Sequence, residues 1–110
     1  MRLLVVILHR EEILDDVLST LVEHEVPDSV VVKSRSGLEL LERDLPIFAG
    51  LRSLIPGGID FSRLVFCLIE DDVMAEHVVQ EIKKFGDGQS ISSGPTNTVM
   101  LLPVQHVEHF

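Results

Sequence analysis

Leu3-Leu4-Val5-Val6-Ile7-Leu8 and Leu64-Val65-Phe66-Cys67-Leu68-Ile69 are the two stretches that decide the fold of this chain. They lie about sixty residues apart, and each runs into an acidic stretch, Glu11-Glu12 after the first and Glu70-Asp71-Asp72 after the second. A helical pattern follows in both cases. Ile13, Val17, Leu18 and Leu21 share one helical face in the first copy, and Met74, Val78, Ile82 and Phe85 share one in the second. Each copy then ends in a further apolar run, Val30-Val31-Val32 or Val99-Met100-Leu101-Leu102. The chain therefore repeats one strand-helix-strand unit.

Two such units in tandem give the order β-α-β-β-α-β, which predicts a ferredoxin-like α+β sandwich: a four-stranded antiparallel sheet with both helices on one face. Right-handed crossovers put the first and third strands in the centre, where their unbroken apolar composition belongs. The first helix is predicted over residues 10–24, with Glu11 and Glu12 at the positive end of its dipole and Pro27-Asp28 ending it. The second runs to about Phe85, capped at its start by the acidic stretch and broken by Gly86-Asp87-Gly88. The Ser, Gly, Pro and Asn of residues 89–97 read as a loop, and Pro103 as the stop of the last strand. Two helices cover one face of such a sheet. The other face is apolar as well, so it is predicted to be buried in an oligomer.

At 110 residues the chain has room for a single domain, 1–110. Its start, with six apolar residues between Arg2 and His9, is too short for a secretory h-region, and no apolar run approaches the ~18–20 residues that span a bilayer. A cytoplasmic protein without membrane insertion is expected. One cysteine, Cys67, rules out a disulfide framework and reads as a small buried hydrophobe. Nine basic against eighteen acidic side chains give a formal charge of −9, the basic residues are scattered along the chain, and there is no Tyr or Trp to stack on bases. Nucleic acid is not an expected partner.

Residues 34–62, between the second and third strands, form an insertion far longer than a hairpin needs. Leu38, Leu40, Leu41, Leu45, Ile47, Phe48, Leu51, Leu54 and Ile55 make it too apolar for a free coil. A helical turn over 37–43 and a short helix over 46–55 are predicted. The segment either packs on its own domain or a neighbouring subunit, or serves as a partner-binding element.

The long insertion, Arg35-Ser36-Gly37 after the second strand, the Asp71-Asp72 helix start and the terminal Leu102-Pro103-Val104-Gln105-His106-Val107 carry a family resemblance. Over nearly the whole chain it resembles the PII-like signalling proteins, named for the nitrogen-regulatory PII trimers. The resemblance implies a homotrimer whose sheets line a central core. It also implies adenine-nucleotide sensing, often with 2-oxoglutarate, in clefts between subunits. Residues 34–62 would occupy the place of the family's partner-docking T-loop. The cleft would be bordered by Ser34, Arg35 and Gly37, with Arg35 as the anion contact, and by Gly86, Asp87, Gly88 and Gln89.

The phosphate grip of that family is absent. Its Gly-Asp-Gly-Lys motif leads directly into the last strand, whereas Pro95-Thr96-Asn97-Thr98 stands here, and Gln89 cannot neutralise a phosphate. After the last strand come Gln105, His106, Glu108, His109 and Phe110, without the family's Arg-x-Arg. Leu38-Glu39 replaces a glycine-rich stretch, and no Tyr is present for uridylylation. The scaffold, the trimer and the place of the cleft carry over; the effector is left open, and no cofactor is assigned.

Other chemistry is sparse. His106, Glu108 and His109 are weak metal candidates, and the divalent-metal-binding CutA trimers share the predicted topology. A pure interaction module without a ligand is the further alternative. His77 reads as exposed beside Glu76 and Glu81, His24 as a cation at a helix end, and His9 as a strand end facing a cleft. The acidic clusters have structural explanations at helix starts, and no nucleophile elbow or phosphate loop occurs. The expectation is a non-catalytic protein.

Overall fold

A computed structural model describes residues 1–37, 40–41, 61–86 and 96–110. In chain order they form β1 (Arg2–Leu8), α1 (Glu11–Glu23), β2 (Ser29–Lys33), β3 (Arg63–Ile69), α2 (Asp72–Lys83) and β4 (Thr98–Pro103), with a 3-10 turn (Lys84–Gly86) prolonging α2. The sheet order is β2-β3-β1-β4 and every neighbouring pair is antiparallel. The fold is α+β, and the two apolar runs occupy the two central strands.

Alternation along those strands builds the core. Leu4, Val6 and Leu8 of β1 and Val65, Cys67 and Ile69 of β3 share one face. There they meet Ile13, Val17 and Leu21 of α1 and Ala75, Val78 and Ile82 of α2, in one cluster whose members are all 5% exposed or less. Burial of each of the large side chains contributes about 1.5–3 kcal/mol. The spacing of apolar residues picked Met74 rather than its neighbour Ala75. In the fold Ala75 is fully buried and Met74 only lies against the core.

The helix ends differ in kind. α2 has a side-chain cap, the Asp71 carboxylate accepting from the Val73 N–H at 2.9 Å. α1 has no side-chain N-cap and relies on Glu11 and Glu12 against the dipole. At its C-terminus the chain reverses before Pro27 is reached. Glu25 takes a left-handed conformation (φ 61°), its N–H donates to the Val22 carbonyl at 3.0 Å and the Val26 N–H to the Leu21 carbonyl at 2.8 Å. This is a Schellman motif with glutamate in the glycine position. Glu25→Gly is therefore expected to raise stability by about 0.5–1 kcal/mol, net of the entropy glycine adds to the unfolded chain. A thermal midpoint higher by a few degrees, at unchanged helical circular dichroism, is the readout.

Residues 34–62 are pinned at their two ends. The Ser34 N–H donates to the Ser62 carbonyl at 3.1 Å, and the two hydroxyls are 2.6 Å apart. Ser62 itself is buried. Most of this segment lies outside the described residues, including the whole helix expected over 46–55; of the helical turn expected over 37–43, Gly37, Leu40 and Leu41 are described and helical, the Leu40 N–H donating to the Ser36 carbonyl at 3.2 Å, and 38–39 and 42–43 lie outside. Asp87, Gly88 and Gln89 and the loop that follows them to Pro95 lie outside as well. Among the described residues no helix is long and apolar enough to cross a membrane.

Candidate functional site

Because side chains alternate, six apolar residues in a row must place three on each face of the sheet. The face turned away from the helices carries three cross-strand rows. Strand register aligns Leu102, Leu3 and Leu68 in one row, Met100, Val5, Phe66 and Val30 in the next, and Thr98, Ile7, Leu64 and Val32 in the third. All but Thr98 are apolar and none is charged. Val30 is 61% exposed, and Val32, Leu68, Met100 and Leu102 are exposed as well. Four strands about 4.8 Å apart, with three rows about 6.8 Å apart, span on the order of 300–400 Å². That matches the largest patch of a typical monomer, a class often used for binding.

A second feature lies at the end of the sheet where β1 and β2 stop and β3 and β4 begin. Leu8 pairs with Arg63 and Arg63 with Lys33. Arg10 lies two residues beyond Leu8 and Arg35 two beyond Lys33. Basic residues that are scattered in sequence thus gather at one end of the sheet. The Arg63 guanidinium lies 4.4 Å over the Phe61 ring and donates to the Ser62 carbonyl at 2.8 Å, which fixes it at this end. The His9 N–H donates to Asn97 Oδ1 at 2.8 Å, tying β1 to the start of β4. The His9 Nδ1 is buried and has no hydrogen-bond partner among the described residues.

The residues expected to border a cleft divide between the two edges of this end. Ser34 and Arg35 follow β2, at one edge of the sheet, and Gly37 lies just beyond them. Gly86 ends the turn after α2, which leads to β4 at the opposite edge. Three strand spacings, roughly 14 Å, separate those edges. Among the described residues, the fold thus sets Gly86 apart from Ser34 and Arg35; Asp87, Gly88 and Gln89 lie outside them. A Cβ on Gly37 or Gly86 would meet nothing within 4 Å, so neither glycine is required by a close approach.

The tail candidates do not form a metal centre. His106 Nε2 is 3.1 Å from Glu108 Oε1, in an exposed pair. His109 instead lines a hollow of about 410 Å³ at the rim of the open face, with Leu3, Val30, Phe66, Asp28 and Glu70. Among the described residues no group of three His, Cys, Asp or Glu donors is arranged for a metal ion.

Two further titrating groups have structural roles. Asp72 receives the Met1 ammonium at 3.2 Å and Arg2 Nε at 3.3 Å, and the ammonium hydrogen bond above all holds its carboxyl below the usual range. Burial, and secondarily the negative charge of Asp28, push the Cys67 thiol up from its ordinary value. Cys67 is 2% exposed. Its labelling by a thiol reagent at pH 8 is expected to be slower in the native protein than in urea by on the order of a hundredfold. Equal rates would mean that β3 opens readily.

His24 and His77 were read from the sequence as unrelated surface residues, one ending a helix and one exposed on another. They lie 53 residues apart and their ring centroids are 5.1 Å apart across α1 and α2. The Ser34–Ser62 link and the His9–Asn97 bond are likewise contacts between distant residues that carry no local sequence signal. No protein-family model matches the chain, and no curated protein does.

Proposed function

We propose that this chain is a non-catalytic, PII-like regulatory protein built on a ferredoxin-like domain, which assembles as a trimer by burying the open faces of its sheets around a common axis. The observation that carries this reading is the uncharged face of three cross-strand rows. Its apolar area is below the ~800 Å² that each partner contributes to a standard interface. A closed ring meets that requirement, because each protomer contacts two neighbours and adds the rims of its face.

The divided cleft residues support the same assembly. Ser34 and Arg35 follow one edge strand of the sheet and Gly86 leads to the other, an arrangement that suits a site shared between two chains. In this reading the cleft between subunits takes a small anionic effector at the cationic end of the sheet, with an adenine nucleotide as the class to test. Residues 34–62, pinned by Ser34 and Ser62, face a partner protein. The Gly-Asp-Gly-Lys sequence that would hold a polyphosphate does not precede the last strand, so an adenine monophosphate fits this chain better than ATP.

Native mass spectrometry tests the assembly and any carried-over ligand together. A trimer is expected, and a monomer at micromolar concentration overturns the reading. Calorimetric titration with AMP, ADP and ATP then tests the effector. Absence of heat at millimolar ligand for all three leaves the trimer as an interaction scaffold and removes nucleotide sensing.

A further inference from the structure

We propose that β2 pairs edge to edge, antiparallel, with β2 of a second copy of this chain, about a two-fold axis at Val31. The contact is separate from the proposed burial of the open faces and does not rest on it.

β2 is an edge strand, paired on one side with β3 and, among the described residues, with nothing on the other. Native edges are blunted by proline, by charge or by a cover. Here Ser29-Val30-Val31-Val32-Lys33 has no proline and a charge only at its last position. Val30 and Val32 on the open face and Val31 on the opposite face are all exposed, so the helices leave this strand uncovered. The other edge differs. Val99 and Leu101 of β4 pack against the core, and Pro103 ends that strand.

The backbone sets the register. The Ser34 N–H donates to the Ser62 carbonyl, and hydrogen-bonded pairs alternate along an antiparallel ladder, so Val32 and Val30 also turn their backbone groups toward β3. The N–H and C=O of Val31 and Lys33 and the C=O of Ser29 therefore point outward, while the Ser29 N–H is held by the Pro27 carbonyl at 3.0 Å. With Val31 set opposite Val31 of the second copy, the two strands overlap over their whole length. Each Val31 N–H then meets the other chain's Val31 carbonyl, and each Lys33 N–H the other chain's Ser29 carbonyl. Val30 faces Val32 of the second copy, which carries the uncharged rows of the open face from one sheet into the other. Charge agrees with this register. Asp28 and Glu70 share a hollow at the end where β2 starts, Lys33 and Arg63 pair at the end where it stops, and antiparallel pairing sets the acidic end of each chain beside the cationic end of the other. Sliding the register by two residues either way leaves the ends of each strand unpaired.

Five residues a side bury well under the ~800 Å² that each partner gives to a standard interface, so two free chains hold together only weakly. The test therefore traps the contact covalently. Single cysteines are placed at exposed β2 positions, where they leave the core untouched, and the full chain is oxidised with copper phenanthroline; the native Cys67 is buried and stays out of reach. Val31→Cys should cross-link to itself at least about tenfold faster than Val30→Cys or Val32→Cys alone, because facing Val31 Cα atoms lie about 5.5 Å apart and those of Val30 and its copy roughly 8 Å. An equal mixture of Val30→Cys and Val32→Cys should form chiefly the mixed dimer, whose Cα atoms lie about 4.5 Å apart. The same pattern is expected when Phe66→Glu is added, a change directed at the proposed trimer and not at the edge. Val31→Cys linking no faster than Val30→Cys, a mixture without preference for the mixed dimer, or loss of the pattern on adding Phe66→Glu would each overturn the edge contact.

Discussion

Phe66→Glu is expected to convert the proposed trimer into monomers, and native mass spectrometry would read the change directly. Phe66 occupies the middle row of the open face, between Val5 of β1 and Val30 of β2. In the isolated chain its side chain is only partly buried, so a carboxylate there reaches water and costs about 1 kcal/mol or less. In an assembly closed over this face, three carboxylates would be desolvated round one axis. The three rows contain no basic side chain to pair with them. Each unpaired buried charge costs several kcal/mol, and the three repel one another. The variant should therefore lose the oligomer while keeping the fold. Its urea midpoint should become independent of protein concentration, where that of the unchanged protein rises with concentration. A trimer that survives Phe66→Glu would remove the open face from the interface.

The sheet and its order were legible because they rest on periodicity, which is a local property. Six apolar residues in succession name a central strand and require two apolar faces, so the exposed rows were implied before the register was known. Single-residue detail was less legible. Pro27 drew attention as the helix stop, yet the turn is made by Glu25, a residue without any preference for a left-handed conformation; the flanking backbone hydrogen bonds impose it. Ala75 was passed over because a small side chain gives little hydropathic signal even where it is fully buried.

The candidate site and the contact between the helices were least legible, since each joins residues that only the tertiary fold makes neighbours. Arg10, Lys33, Arg35 and Arg63 are spread along the sequence and come to one end of the sheet through the pairing of Leu8 with Arg63 and of Arg63 with Lys33. His24 and His77 meet because α1 and α2 lie side by side over the sheet. Neither grouping has a spacing that a motif could capture.

Leu4→Ala and Leu3→Ala, at adjacent positions on opposite faces of β1, should differ by at least about 2 kcal/mol in chemical unfolding. Leu4 is 0% exposed and lies in the cluster formed with α1 and α2. Its truncation loses the transfer energy of the side chain and leaves a cavity that a close-packed core closes only in part, about 3–4 kcal/mol together. Against a total stability of about 5–10 kcal/mol for a domain of this size, the urea midpoint should fall by a third or more at unchanged slope. Leu3 looks the other way, in the row with Leu102 and Leu68. Below the concentration at which the chains associate, its truncation removes only contacts along the row and should cost about 1 kcal/mol. Raising the protein concentration should widen the Leu3 effect and leave the Leu4 effect nearly fixed, because only the face of Leu3 gains a cover on association. If Leu3→Ala instead costs as much as Leu4→Ala at high dilution, that face is already filled within a single chain. The reason for assembly would then have to be sought elsewhere on the molecule.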